Sequence, residues 1–257
     1  MGRSIAVTGK GGVGKTTVSA LVMRALVDSG CSPILAIDAD PNLNLDTALG
    51  VRAQEFLGSI REEALDRGEN LPAGKTKVDF ITYRTRQEVL ETDDFDFLAM
   101  GRPEGPGCYC FANSVMRQAI DRLTQQYEYV VVDCEAGLEH FSRRTTGDID
   151  VLLILTDPSL RSADTVFRVL DLVGSLKTRI GRALVAVTRT TDGIPPAILE
   201  RAAAHRVEIA DAIPDDPELR QLDAAGRPLL GVSPGNPALA AVRGLLAQAR
   251  VLPTASA

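Results

Sequence analysis

Short apolar runs alternate with helix-like stretches along most of the chain. The runs are apolar at every position instead of every second one, which is the pattern of strands covered on both faces. They lie at Ile5 to Thr8, Ile34 to Ile37, Phe97 to Met100, Tyr129 to Val132, Val151 to Leu155 and Ala183 to Val187. Helical stretches between them include Val18 to Val27, Ser114 to Gln125 and Ala163 to Leu176. The alternation predicts an α/β fold, a mostly parallel, doubly wound sheet with helices on both faces and right-handed crossovers.

Two segments do not fit this alternation. Residues 53–94 are mixed and charged, and we interpret them as an insertion before the third main strand. Near the end, Leu239, Val242 and Leu246 recur at helical spacing, which predicts a C-terminal helix over 235–252 that covers the sheet. A membrane anchor would need a more basic face than this segment offers, so no stable membrane anchoring is expected. Residues 1–257 are therefore predicted to form a single domain.

Composition and charge narrow the possible functions. The chain has 257 residues, of which 45% are hydrophobic and 24% charged, as in ordinary globular proteins. No stretch approaches the ~18 to 20 apolar residues of a membrane span, and the first residues lack a secretory signal. These features predict a cytoplasmic protein. The net charge of −6 comes without a basic block, so no nucleic-acid partner is expected.

The chain has four cysteines, Cys31, Cys108, Cys110 and Cys134. They are too few for a disulfide framework in a chain of this length, which leaves core packing, metal binding or redox chemistry. Cys31 lies in a turn before a strand and Cys134 at a buried strand end, so both are interpreted as structural. The pair Cys108 and Cys110 remains as candidate chemistry.

A phosphate-binding loop follows the first predicted strand. Its residues are Gly9, Lys10, Gly11, Gly12, Val13, Gly14, Lys15, Thr16 and Thr17. A strand before the loop and a helix after it are the context that the P-loop pattern requires. Backbone N–H groups and the helix N-terminus would bind phosphates, Lys15 would reach the β and γ oxygens, and Thr16 would offer its hydroxyl to Mg²⁺. The sequence therefore predicts a P-loop NTPase that binds ATP or ADP with Mg.

Two acidic segments follow other predicted strands. Asp133 ends the run that begins at Tyr129, so its carboxylate is expected at the carboxyl edge of the sheet, as a Mg²⁺ partner through water. Asp38 and Asp40 follow Ile34 to Ile37 in the same way, and a carboxylate there would orient the attacking water. An acid after a strand often makes only a turn, but two such segments beside a P-loop favour a catalytic site.

An additional lysine in the loop, Lys10, makes this the deviant form of the motif, and here the sequence resembles the superfamily of MinD, ParA and the nitrogenase iron protein. The resemblance spans nearly the whole chain. It implies that Lys10 crosses a dimer interface to the partner's nucleotide, so that ATP promotes a homodimer. It also implies that Asp40, in the first switch segment, positions the hydrolytic water. The second switch would begin at Asp133, with Gly137 sensing the γ-phosphate through its backbone.

A closer resemblance concerns the segments 135–145 and 107–110. They look like the nickel-insertion ATPases of carbon monoxide dehydrogenase, the CooC type. This resemblance implies a metallochaperone whose client is carbon monoxide dehydrogenase or a similar enzyme. Two thiolates per chain leave a tetrahedral or square-planar ion half-coordinated, whereas Cys108 and Cys110 of two chains supply four. Nickel, or zinc, would then bridge the two subunits.

The sequence differs from these relatives at two places. Phe111 and Ala112 follow the cysteines where relatives often have Pro-Glu, and Thr188 stands where relatives commonly place an adenine-reading Asn. The segment 213–218 does resemble the base-contacting loop of the family. Arg189, Pro214 and Asp216 are therefore expected to contact the base, with adenine preferred.

Two other functions stay open. A subunit-bridging iron–sulfur cluster, as in the nitrogenase iron protein, would use Cys108, but the second ligand position of that family falls near His140 and Phe141, and Cys110 would have to substitute. A MinD- or ParA-like positioning ATPase accounts for the nucleotide site and gives the cysteine pair no task. The ATP-driven metallochaperone is preferred because it uses both features.

Overall fold

The computed structural model describes residues 2–53, 60, 76–101, 120–134, 148–175 and 179–252. Its strands are β1 (Arg3–Gly9), β2 (Ile34–Ala39), β3 (Leu90–Glu91), β4 (Asp96–Ala99), β5 (Tyr129–Cys134), β6 (Ile149–Thr156), β7 (Ile180–Thr190) and β8 (Ile209–Pro214). Its helices are α1 (Lys15–Asp28), α2 (Leu45–Leu49), α3 (Lys77–Gln87), α4 (Leu160–Ser175), α5 (Pro196–Ala204), α6 (Pro217–Ala224) and α7 (Pro237–Gln248). A short 3-10 helix spans Leu229–Gly231.

The strands form one eight-stranded sheet in the order β3-β4-β2-β5-β1-β6-β7-β8. All neighbours are parallel except β3 and β4, which are antiparallel. The predicted α/β fold with a mostly parallel sheet is thereby confirmed. Strand β1 lies between β5 and β6, and the chain forms β2 to β5 on one side of it and β6 to β8 on the other. Open α/β sheets bind ligands at such a reversal of strand order, outside the carboxyl ends of the strands.

The continuous apolar pattern of the central strands reflects burial on both faces. In β1, Ile5 and Val7 belong to the core layer that includes α1 and α7, whereas Ala6 belongs to the opposite layer. The opposite layer also holds Leu152 and Ile154 of β6. Since successive side chains of a strand point to opposite faces, a strand covered on both faces is apolar along most of its length.

Helix α1 carries the phosphate loop and is itself enclosed by the core. Its residues Leu21 and Met23 are fully buried, and α7 packs against both α1 and β8. Asn236 caps α7 by accepting hydrogen bonds from the N–H groups of Ala238 and Leu239. The helix that the sequence predicts within 235–252 thus spans Pro237–Gln248 and buttresses the helix of the loop. Within the described ranges, no helix combines the length and the apolarity that a membrane crossing needs.

Several boundaries differ from the predicted ones. Strand β4 ends at Ala99, one residue early, and β7 extends to Thr190. Strands β3 and β8 were not predicted, since β3 has two residues and β8 reads Ile-Ala-Asp-Ala-Ile-Pro. The described end of the segment 53–94 contains α3 and β3, and β3 pairs with β4. Of the stretch from Ser114 to Gln125, residues 120–124 are helical and 114–119 lie outside the described residues.

Candidate functional site

The phosphate loop connects the end of β1 to the start of α1. Gly9 lies where a Cβ would come within 2.4 Å of the carbonyl oxygen of Leu155, so a larger residue does not fit there. Gly14 is the N-cap of α1 with φ 89°, in the left-handed region that favours glycine. These two glycines let the backbone turn tightly at both ends of the loop.

The start of α1 is available to an anion. Its N-cap makes no side-chain hydrogen bond, and its first turn contains no acidic residue. A Cβ placed on Gly11 or Gly12 would meet nothing within 4 Å, so the space above the loop is open. Lys15 is buried at 8% exposure in the first turn. Free N–H groups, a helix N-terminus and a buried lysine fit a polyphosphate.

The other loop residues are arranged around this opening. Lys10 is exposed, Val13 is fully buried, and Thr16 and Thr17 are half-buried in the first turn of α1. The two lysines of the loop thus differ in their surroundings, since Lys10 is exposed to solvent and Lys15 is buried.

Asp133 lies directly beneath the loop. The Thr16 hydroxyl donates to its Oδ2 at 2.7 Å, and the Ser19 hydroxyl donates to its Oδ1 at 3.1 Å. Burial raises the pKa of Asp133 to about 6, while the hydrogen bonds from Thr16 and Ser19 and the charge of Lys15 act in the opposite direction. A hydroxyl and a carboxylate in contact supply the hard oxygen ligands that Mg²⁺ prefers, so these residues fit a magnesium ion at the phosphates.

The two aspartates of the first acidic segment, Asp38 and Asp40, have different surroundings. Asp38 is fully buried, and its carboxylate accepts hydrogen bonds from the N–H groups of Asp40, Asn44 and Leu45 at 2.9 to 3.0 Å. Burial raises the pKa of Asp38 to about 7. Its oxygens therefore organise the loop after β2, and of the two acids considered for orienting water only Asp40 keeps a partly accessible carboxylate.

Asp40 is half-buried at the carboxyl edge of the sheet. Its Oδ1 accepts from the backbone and side-chain amides of Asn42 at 2.9 and 3.0 Å. Among the hydrogen bonds of the described residues, none uses its Oδ2. That oxygen is free for a water molecule.

A pocket of about 100 Å³, open to solvent, adjoins the loop on the side of β7 and β8. Its wall near the loop consists of Val13, Gly14 and Thr17. The facing wall includes Thr188, Arg189, Pro214, Asp215, Asp216 and Arg220. The structure thus brings Arg189, Pro214 and Asp216 together beside the P-loop. Asp216 caps α6 through a bond from the Leu219 N–H at 3.0 Å, and Asp215 pairs with Arg220.

Sequence reasoning missed Ser19 and the contact of Thr188 with the phosphate loop. Ser19 follows Thr16 by three positions, and this spacing on a helix places both hydroxyls on the face that meets Asp133. The spacing was a usable signal. Thr188 donates its hydroxyl hydrogen bond to the carbonyl of Val13 at 2.7 Å, and the sequence offers no signal for this contact across 175 positions.

The predicted metal ligands Cys108 and Cys110 lie outside the described residues, as do Gly137 and His140. Within the described ranges, no group of three or more His, Cys, Asp or Glu side chains is arranged to hold a metal ion. Cys31 and Cys134 are buried free thiols. Burial raises the pKa of the Cys134 thiol well above its usual value, and the nearby charge of Asp133 adds to the effect. Cys134 is therefore a poor source of thiolate.

The sequence pattern of one protein family matches most of the chain. The family is described as the AAA domain, and the match covers residues 2–186. These residues contain the phosphate loop, both acidic segments and strands β1 to β6.

Individual relatives extend over nearly the full length. An uncharacterized ATP-binding protein of Methanocaldococcus jannaschii is 40% identical, with 90% of this chain and 92% of the relative covered. The carbon monoxide dehydrogenase accessory protein CooC of Rhodospirillum rubrum is 34% identical, with 90% of each covered. The crystal structure of the cell division ATPase MinD of Pyrococcus furiosus superposes with a TM-score of 0.71 at 24% identity, covering 98% of this chain and all of that one. This last likeness shows a shared fold.

Proposed function

We propose a function for this chain from the premise that it belongs to the AAA domain family of P-loop ATPases. The proposal is that it hydrolyses Mg-ATP, dimerises when ATP is bound, and inserts nickel into carbon monoxide dehydrogenase or a similar metal centre. The observation that carries the ATPase part is the contact of Thr16 with Asp133 beneath an uncapped helix N-terminus. The metal part is supported by the likeness to CooC and by the pair Cys108 and Cys110.

In the proposed reaction, Lys15 and the N–H groups of the loop bind the β- and γ-phosphates. Thr16, and Asp133 through water, would hold Mg²⁺, which would neutralise charge that develops on the phosphates. Asp40 orients the attacking water through its free Oδ2. Lys10, which is exposed, reaches the nucleotide of the second subunit, and the backbone of Gly137 senses the γ-phosphate.

The cargo site is proposed at the dimer interface. Cys108 and Cys110 contribute two thiolates per chain, and a four-coordinate ion needs two such pairs. The other two cysteines, Cys31 and Cys134, are buried free thiols, so neither is proposed as a ligand of the cargo. Nickel is the proposed cargo, and zinc satisfies the same ligands.

Metal titration under anaerobic conditions tests this proposal. The wild type should bind one Ni²⁺ per dimer, and a non-hydrolysable ATP analogue should tighten binding. Linkage requires the metal to tighten binding of the analogue by the same factor. The Cys108→Ser, Cys110→Ser double variant should lose the site, whereas the control Cys31→Ala should keep it. Equal stoichiometry and affinity in the wild type and the double variant would remove the cysteine pair from the function.

A further inference from the structure

The end of strand β7 departs from regular strand geometry beside the nucleotide pocket. Arg189 has φ 55°, in the left-handed region, and the pairing of β7 with β8 shifts register between Thr188 and Thr190. In a regular strand, consecutive side chains point to opposite faces. Here Thr188 and Arg189 line the same pocket. The irregularity is thus a β-bulge that turns Arg189 toward the nucleotide site.

Thr188 connects this bulge to the phosphate loop. Its side chain is buried at 3% exposure, and its hydroxyl lies 2.7 Å from the carbonyl oxygen of Val13 and 3.1 Å from that of Thr156. Val13 is the loop residue just before Gly14, the N-cap of α1. Among the described hydrogen bonds, this contact is the one that ties the loop backbone to a side chain of another strand.

The backbone at Arg189 is strained, because a side chain at positive φ crowds its own backbone. Such a conformation persists where the surroundings hold it, and it concentrates at ligand sites. The Arg189 side chain is exposed and makes no ion pair with the described residues. Its guanidinium is free to stack on a base or donate hydrogen bonds to it.

We infer that Thr188 is a positioning residue for the phosphate loop, and that the bulge joins it to Arg189, the residue already expected to contact the base. This inference rests on the proposed nucleotide-binding function of the site. The hydroxyl of Thr188 lies within hydrogen-bond distance of two backbone carbonyls, and the shorter of the two distances is the one to the loop carbonyl of Val13. The two neighbouring residues thus act on different parts of one nucleotide. Thr188 supports binding of the phosphates, and Arg189 contacts the base.

Two ligands separate these roles, namely Mg-ATP and Mg-tripolyphosphate, which has phosphates and no base. Thr188→Val keeps the side-chain shape and removes the donor, and it should weaken binding of both ligands by a similar factor of about 3 to 10, as expected for one hydrogen bond. Thr188→Ser retains the hydroxyl and should bind both ligands within about twofold of wild type. Thr188→Ala repeats the loss of the donor with a smaller side chain.

Arg189→Gly is the matched variant on the base side. It should weaken Mg-ATP alone and leave tripolyphosphate unchanged. It should not lower the melting temperature of the free protein, because glycine adopts a positive φ without strain.

Each outcome of these titrations decides the inference. Wild-type affinity for both ligands in Thr188→Val, with only a lower melting temperature, would make Thr188 a structural residue and overturn it. Loss of Mg-ATP binding alone in that variant, or a wild type that does not bind tripolyphosphate, would also contradict it. A wild type that binds neither ligand would instead refute the proposed ATPase function itself.

Discussion

At the scale of single residues, two buried carboxylates define the site. Asp38 and Asp133 are neighbours across β2 and β5, and both lie fully buried beneath the loops that follow these strands. Burial raises both pKa values, to about 7 and about 6. Burying these two carboxyl groups away from water costs free energy. Hydrogen bonds from backbone N–H groups and hydroxyls offset part of that cost.

The raised pKa of Asp38 predicts a pH dependence of stability. The folded carboxyl binds its proton up to about pH 7, whereas the unfolded one releases it near 3.8. Its stabilising contribution is therefore present below about pH 4 and is lost as the pH rises toward 7. Between pH 5 and 8 the free energy of unfolding should fall by about 2 kcal/mol more in the wild type than in Asp38→Asn. Urea denaturation measures this, and identical pH profiles would contradict the assignment.

The roles of Lys15 and Asp40 predict different losses. Lys15→Ala removes the charge that faces the phosphates and should lower turnover of Mg-ATP by about 10²-fold or more, with weaker binding. Asp40→Ala should lower turnover while nucleotide affinity stays near wild type. Steady-state phosphate release and nucleotide titration separate the two. Asp93→Ala, an exposed acid in a turn before β4, is the control, and undiminished turnover in Lys15→Ala would refute the role of the loop.

The residues of the site differ in how far the sequence could predict them. The phosphate loop and Asp133 could be predicted because spacing along the chain and position at a strand end determine where such residues lie. Thr188 could not, since its partner is a backbone carbonyl of Val13 that carries no side-chain signature. Asp38 was taken with Asp40 as one acidic segment, and only the backbone bonds to Asp38 separate their roles.

At the scale of elements, the packing of α7 on α1 stabilises the helix that begins at the phosphate loop. Arg243 of α7 forms an ion pair with Asp28 at the end of α1. Leu239, Val242 and Leu246 of α7 are fully buried. The helix of the loop is thereby held between the sheet and α7, which favours a rigid phosphate site.

This packing predicts the cost of a cavity. Leu246→Ala should lower the free energy of unfolding by about 2 to 5 kcal/mol, because the site is fully buried and can collapse only in part. Leu199→Ala on α5 removes the same atoms from a side chain that is 47% exposed, so it should cost less than about 1 kcal/mol. Urea denaturation of both variants checks the contrast, and equal costs would contradict the described burial.

The elements also show where hydrophobic pattern is informative. Strand β5 is buried at every position, and its sequence is apolar from Tyr129 to Val132, which is the run that predicts it. Strand β8 is half-buried over most of its length, and its mixed sequence resembles a loop. Because β8 lies at the edge of the sheet, its sequence lacks the continuous apolar run from which a buried strand is predicted.

At the scale of the whole molecule, the proposal predicts a change of mass with nucleotide. Lys10 is exposed on its own subunit, and it is proposed to neutralise the phosphates of a second one. Light scattering should give a dimer with Mg and a non-hydrolysable ATP analogue and a smaller mass with ADP. Lys10→Ala should shift the analogue-bound protein toward the monomer while it still binds nucleotide. The same mass under both conditions would contradict control of assembly by ATP.

The measurement that tests the central claim most directly is metal transfer to a client. Nickel-loaded protein is mixed with nickel-free carbon monoxide dehydrogenase, and activity of the dehydrogenase is followed. Activity should appear with Mg-ATP, and it should be absent with a non-hydrolysable analogue, with Asp40→Ala, or with the Cys108→Ser, Cys110→Ser double variant. Equal activation by the double variant, or activation that needs no hydrolysis, would contradict an ATP-driven metallochaperone.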